Sequence, residues 1–193
     1  MGTEIYCSAE RRRAGKWEAC TVDFFFSGER DYGMAALLTD FNKYGGRDFE
    51  PIAKPRGYPI DSPTVGHLAH EPETGTDHNR TWLSLRELLD FPWHERTVRK
   101  RGYVFAEDYL DYWVDRSQPR WHYAAPPQGC RVISNQEMER LITDAGDTDR
   151  KVTLMEYGTP YALEFERFYR ETLPLLSQLG APEDVRIIVS LSS

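Results

Sequence analysis

The sequence predicts an α+β domain: a mixed or mainly antiparallel sheet with about four helices packed on it, and a long ordered loop. Three observations lead there. Several helices carry start and stop signals, several short segments alternate with period 2, and strands do not alternate regularly with helices as a doubly wound fold requires.

The first strand sets Ile5, Cys7 and Ala9 on one face against Glu4, Tyr6, Ser8 and Glu10 on the other. Ala14-Gly15-Lys16 makes a turn, and Trp17 to Phe26 returns antiparallel with Val22, Phe24 and Phe26 alternating. Arg11 to Arg13 crowd the hairpin end. Asp31 caps a helix whose apolar residues Met34, Leu37, Leu38 and Phe41 share one face, with Gly45-Gly46 as its stop. A second helix starts at Ser84, where Glu87 completes a capping box, and carries Leu85, Leu88 and Leu89 until Pro92.

Arg96 to Phe105 reads as a strand and Ala106 to Arg116 as a short amphipathic helix, with Glu107 and Asp108 suited to its N-terminal dipole. Ser134 and Glu137 open another helix through Met138, Leu141, Ile142 and Ala145, closed by Gly146. Val152 and Leu154 mark a strand. Thr159-Pro160 opens a long helix bearing Phe165, Phe168, Tyr169, Leu173 and Leu176, which Pro174 bends. Val185 to Leu191 is apolar on both faces and belongs inside the sheet.

At 193 residues the chain has the size of one domain, residues 1–193, interrupted by an irregular segment over residues 45–79. A net charge of -7 argues against a broad face for duplex nucleic acid, which needs clustered cations. No stretch approaches the roughly 18 apolar residues of a membrane span, and the first residues carry no apolar leader, so a cytoplasmic location is expected. Cys7, Cys20 and Cys130 lack disulfide or zinc-ligand arithmetic.

Segments without secondary structure beyond about 15 residues are uncommon in compact domains and are mostly functional or disordered. Here Phe49, Ile52, Tyr58, Ile60, Val65 and Leu68 could fix the segment to the body, and Pro51, Pro55, Pro59 and Pro63 stiffen it. Lys54-Pro55-Arg56-Gly57-Tyr58 joins two cations, a permissive glycine and an aromatic ring, a set able to hold a phosphate while a base stacks. The alternative is an ordinary turn with a salt bridge from Arg56 to a neighbouring carboxylate. His78-Asn79-Arg80-Thr81-Trp82 runs into the Ser84 helix, a place where backbone amides attract anions.

His67, His70 and His78 with Asp77 offer ligands to a divalent metal, although their spacing matches no specific signature. Arg96, Arg99, Lys100 and Arg101 form a basic run that is either a local anion surface or the solvated edge of a sheet. No nucleophilic triad, phosphate-cradling loop or dinucleotide fingerprint can be assembled.

Gly2 and Ile5, Arg30-Asp31-Tyr32, Pro51-Ile52, Pro55-Arg56-Gly57-Tyr58-Pro59, His78, Trp82-Leu83, Glu87-Leu88-Leu89, Arg101-Gly102 and Glu183-Asp184-Val185-Arg186-Ile187 give the chain an end-to-end pattern. It resembles a family of small, largely uncharacterised proteins of tailed bacteriophages and some bacteria that typically begin Met-Gly-Cys-Asp-Ile-His. Thr3, Glu4 and Tyr6 stand where that family has Cys, Asp and His, so a metal set built on those side chains is mostly lost here. The resemblance implies a phage setting, in the host cytosol, and no particular activity.

The expectation is a non-catalytic protein that sequesters a small anionic, nucleotide-like ligand, or a host protein, to counter host defence. Arg47, Lys54, Arg56 and Arg80 would neutralise phosphate, Tyr58 and Trp82 would stack, and His78 would hydrogen-bond. It needs no cofactor and is compatible with a homo-oligomer. Two alternatives stand beside it: a metal-dependent phosphodiesterase or nuclease using His67, His70, Asp77 and His78, and an acidic interaction protein that masks a host enzyme.

Overall fold

The computed structural model describes residues 2–41, 49–65, 77–115 and 122–192. The fold class is α+β, as expected. The chain forms two compact units, one built from both ends of the chain up to Arg96 and again from Tyr161, the other from Thr97–Pro160. The chain leaves the first unit at Arg96 and re-enters at Tyr161, whose N–H donates to the Arg96 carbonyl at 3.1 Å.

The first unit holds an antiparallel sheet of β1 (Glu4–Arg13), β2 (Lys16–Cys20), β3 (Asp77–Ser84) and β7 (Val185–Ser192), in the order β2-β1-β7-β3. β7 is interior, with every residue but the last buried, which is why its sequence is apolar on both faces. The hairpin register sets Arg12 opposite Trp17. Across β7, Arg186 lies opposite Glu10 on one side and Ser84 on the other. Directly opposed residues share a face, so Trp17, Arg12, Glu10, Arg186 and Ser84 belong to one face, and Trp82 joins them by alternation with Ser84.

β2 is shorter than expected and ends at Cys20. Phe24 and Phe26 are buried, but in a turn closed by the Ser27 N–H on the Phe24 carbonyl at 2.8 Å, so their alternation serves the core and not a strand. Helix α1 (Tyr32–Thr39) starts as expected, with Asp31 accepting from the Met34 N–H at 2.9 Å. It stops before the glycines: Asp40 takes the left-handed conformation at φ 57° and donates its N–H back to Ala36. The Asn79 side-chain amide donates to the Thr39 carbonyl at 3.2 Å, a further tie on that helix end.

Helix α2 (Leu85–Asp90) has the full capping box between Ser84 and Glu87. The expected long C-terminal helix is present but irregular: α5 (Tyr161–Glu164) is followed, after a turn at Phe165, by helical backbone that widens to a π-helical turn (Phe168–Thr172) and runs on into α6 (Leu173–Ser177). Proline lacks an N–H and its ring clashes with the carbonyl four residues back, so the turn before Pro174 widens, with the Leu173 N–H reaching Phe168. Phe26, Phe49, Phe91, Trp93, Tyr161, Phe165 and Phe168 meet as a continuous aromatic cluster at centroid distances of 5.0 to 6.5 Å.

The second unit holds β4 (Thr97–Val104), β5 (Arg131–Ile133) and β6 (Lys151–Pro160), ordered β4-β6-β5, with β4 antiparallel and β5 parallel to β6. Helices α3 (Ala106–Asp115) and α4 (Asn135–Thr143) belong to it, and its core gathers Val104, Tyr109, Ile133, Met138, Met155 and Tyr157. The Ser134 cap is present, accepting from the Glu137 N–H at 3.1 Å. Gly102 is required there: a Cβ on it would stand 2.5 Å from the His122 ring, which Tyr157 holds by a 2.9 Å hydrogen bond.

All three cysteines are free, and burial pushes the Cys7 thiol up. Among the described residues no helix is long and apolar enough to cross a membrane. The capping box gives a direct test: Ser84→Ala is expected to lower unfolding stability by about 1 kcal/mol in urea titrations. An unchanged midpoint would mean that the cap contributes nothing to the fold.

Candidate functional site

The described part of the irregular segment, residues 49–65, is docked along its length. Phe49 is buried in the aromatic cluster, the Glu50 N–H donates to the Tyr161 hydroxyl at 2.6 Å, and the Ile52 N–H donates to the Leu37 carbonyl at 2.9 Å. Ile60, expected to anchor the segment, stands fully in solvent. The anchors beyond Phe49 are polar.

The next contact is with β3, the outer strand of its sheet. The Gly57 N–H donates to the Arg80 carbonyl at 3.0 Å, and the Arg56 N–H reaches Thr81 Oγ1 at 3.4 Å. Gly57 has φ +74°, a conformation that a side chain disfavours. Each chain then contributes one cation and one ring to the other. The Arg56 guanidinium lies 3.7 Å from the Trp82 ring centroid, and the Arg80 guanidinium 5.2 Å from that of Tyr58. The register of β3 slips between His78 and Thr81, with Asn79 at φ 51°, so a bulge aims Arg80 outward.

Arg56 is further fixed by Nε on the Trp82 carbonyl at 2.9 Å and by Nη2 on Glu87 Oε2 at 2.5 Å. The salt-bridge alternative of the sequence reading is therefore what the structure contains. Burial pushes the Glu87 carboxyl up, but hydrogen bonds from Arg56 and Ser84 outweigh it and hold it below its ordinary 4.5. At the N-terminus of α2, expected to attract an anion, the Glu87 N–H is met by the Ser84 side chain, the Ser84 N–H by the Glu87 side chain and the Arg86 N–H by the Pro182 carbonyl at 3.1 Å.

Past Pro59 the segment crosses the sheet face and ends on a buried ion pair. Glu10 and Arg186 face each other across β1 and β7, with 0% and 4% of their side chains exposed, and Arg186 Nε donates to Glu10 Oε2 at 2.7 Å. Glu10 Oε1 accepts from Ser62 Oγ, from the Thr64 N–H at 3.1 Å and from Thr64 Oγ1 at 2.5 Å. Arg186 Nη2 lies 2.9 Å from Asp61 Oδ1 without the alignment of a hydrogen bond. This contact holds the Asp61 carboxyl below its usual range. The Arg186 guanidinium lies 3.8 Å from the Trp17 ring and 5.8 Å from that of Trp82, and Arg12 lies 5.7 Å from Trp17. Alternating guanidinium and indole groups thus run from β2 across the sheet to the docked segment.

Of the residues proposed from sequence, Arg56, Tyr58, Arg80 and Trp82 come together around this junction, with Arg56 and Arg80 at the exposed surface, and Lys54 is exposed two positions before Arg56. Arg47, His67 and His70 lie outside the described residues. The backbone of Asp77 and His78 begins β3, and their side chains lie outside what is described. Sequence reasoning missed Glu10, Asp61, Ser62, Thr64, Trp17 and Arg186. One signal was present: Arg186 is the lone charge in an apolar strand, and a charge there must find a buried partner. Among the described residues no group of His, Cys, Asp and Glu could hold a metal ion. No family model, curated protein or solved structure matches the chain.

Two measurements follow. Glu10→Gln leaves the buried Arg186 charge with only the largely exposed Asp61 as counterion and is expected to cost about 3 kcal/mol, whereas Glu10→Leu with Arg186→Met is expected to cost distinctly less. Equal losses in urea titration would show that the unpaired Arg186 charge carries no penalty of its own. The second concerns Glu87: a carboxyl held below its ordinary value stabilises the fold above that value and ceases to as pH falls through the lowered one. Wild type should lose stability relative to Glu87→Gln below pH 4.5, and parallel stability curves from pH 6 to about 3 would contradict this.

Proposed function

We propose that the chain is a non-catalytic binding protein that sequesters a small anionic, nucleotide-like ligand at the junction of the docked segment with β3. The supporting observation is the reciprocal pairing of Arg56 with Trp82 and Arg80 with Tyr58, which holds two guanidinium groups in place at the exposed surface. A guanidinium lying over a ring keeps its N–H donors in its own plane, where a phosphate meets them in two parallel hydrogen bonds. Because the docked segment is fixed by backbone bonds, binding there orders little that is not already ordered.

The two cations divide the work. Arg80, exposed and aimed out by the bulge, makes the first phosphate contact, and Tyr58 carries the base or sugar. Arg56 is shared with Glu87, so it steadies the ring platform and offers its remaining donors to the ligand's edge. Lys54, on the same exposed stretch, adds charge without fixed geometry. Trp82 supports Arg56, and a base stacks on its ring only by displacing that guanidinium. The resemblance to tailed-phage proteins supplies the setting: removal of a nucleotide signal, or of a host factor bearing one, would counter host defence.

A panel of nucleotides and cyclic nucleotides tests this by thermal shift and calorimetry. At least one member should raise the melting temperature, and Arg80→Ala or Tyr58→Ala should weaken its binding about tenfold or more. If none of the panel shifts the melting temperature, the small-ligand reading fails.

A further inference from the structure

We propose a second binding site, for an organic cation, in the cleft between the Phe91–Glu95 turn and the helical residues Tyr169 and Leu173. The cleft measures about 380 Å³, within the range of small-ligand sites. Its walls are aromatic and held in place. Trp93 donates its indole N–H to the Leu88 carbonyl at 2.8 Å and packs on Tyr169 at 5.6 Å between centroids. His94 meets Tyr169 edge to face at 5.2 Å, and His94 Nε2 lies 2.9 Å from the Tyr169 hydroxyl.

The charge at the rim has one sign. Asp90 and Glu95 both line the cleft and are exposed, and neither takes part in an ion pair among the described residues. The basic residues nearest them make their ion pairs elsewhere: Arg86, which feels the Asp90 charge one helical turn away, pairs with Glu183, and Arg96 pairs with Glu50 while lying 5.4 Å from the Phe91 ring. Aromatic faces flanked by carboxylates attract a guanidinium or ammonium group, and the apolar Leu173 floor takes a short hydrocarbon stem. An anion would meet two carboxylates there. The ligand chemistry is therefore a guanidinium or ammonium on an apolar stem, and it owes nothing to the anion site proposed above.

Butylguanidine is a suitable probe, with butylurea as its neutral counterpart of the same shape. In ¹H–¹⁵N spectra of the whole chain, butylguanidine should shift the Trp93 indole and the amides of Glu95 and its neighbours saturably, and butylurea should bind about tenfold more weakly or less. Asp90→Asn with Glu95→Gln changes two exposed groups without altering their shape, and should weaken butylguanidine about tenfold while leaving the urea unfolding midpoint in place. Acetyl-Gly-Arg-Gly-amide separates the two sources of such a group. Tighter binding than butylguanidine assigns the site to an arginine of a protein partner, and weaker binding assigns it to a free small cation. The proposal is overturned if butylguanidine shows no saturable shift, if butylurea matches it, or if the double variant binds it unchanged.

Discussion

The buried contact between Glu10 and Arg186 is the constraint on which the first unit depends. Two full charges sit inside a sheet, where desolvation costs several kcal/mol for each ion, so their presence adds little net stability. What they add is specificity. The carboxylate has more acceptor capacity than one guanidinium uses, and Ser62 and Thr64 fill the remainder. The guanidinium has faces as well as edges, and Trp17 and Trp82 lie over them. A chain slipped by one residue along β7 would leave the pair unmatched, so the charges select both the strand register and the place where the segment lands.

From that point the rest of the site follows. Trp82 is positioned by β3, Arg56 lies on Trp82, and Glu87 holds Arg56 while also closing the capping box of α2. One carboxylate thus joins helix, strand and segment. The consequence of this economy is that Arg56 is shared with Glu87, while Arg80 stands exposed beside the bulge at Asn79.

Much of the fold was legible in the sequence because its signals are local. The Asp31, Ser84 and Ser134 caps act within three residues, and each is present in the structure. The interior position of β7 followed from an apolar run on both faces. Boundaries were less legible where a residue served tertiary packing: Phe24 and Phe26 alternate like a strand but fill the aromatic cluster, and Pro174 changes helix type where a simple bend was expected. The site was legible in composition and not in arrangement. Arg56, Tyr58, Arg80 and Trp82 do come together, yet the pairing of each cation with the other chain's ring depends on register, and the anchor of the segment joins residues 176 positions apart. Glu10 looked like one of four polar residues on the outer face of a strand, because nothing local says that a later segment will cover it.

The most direct test of this account is native-state hydrogen exchange at the Thr64 and Val65 amides, which donate to Glu10 and to Ser62 Oγ. In the wild-type chain both should exchange slowly, at rates near those of the β7 amides, and in Glu10→Gln they should become fast relative to those of α1. Fast exchange of both amides in the wild type, or protection that survives the substitution, would contradict the claim that the buried ion pair holds the segment on the sheet.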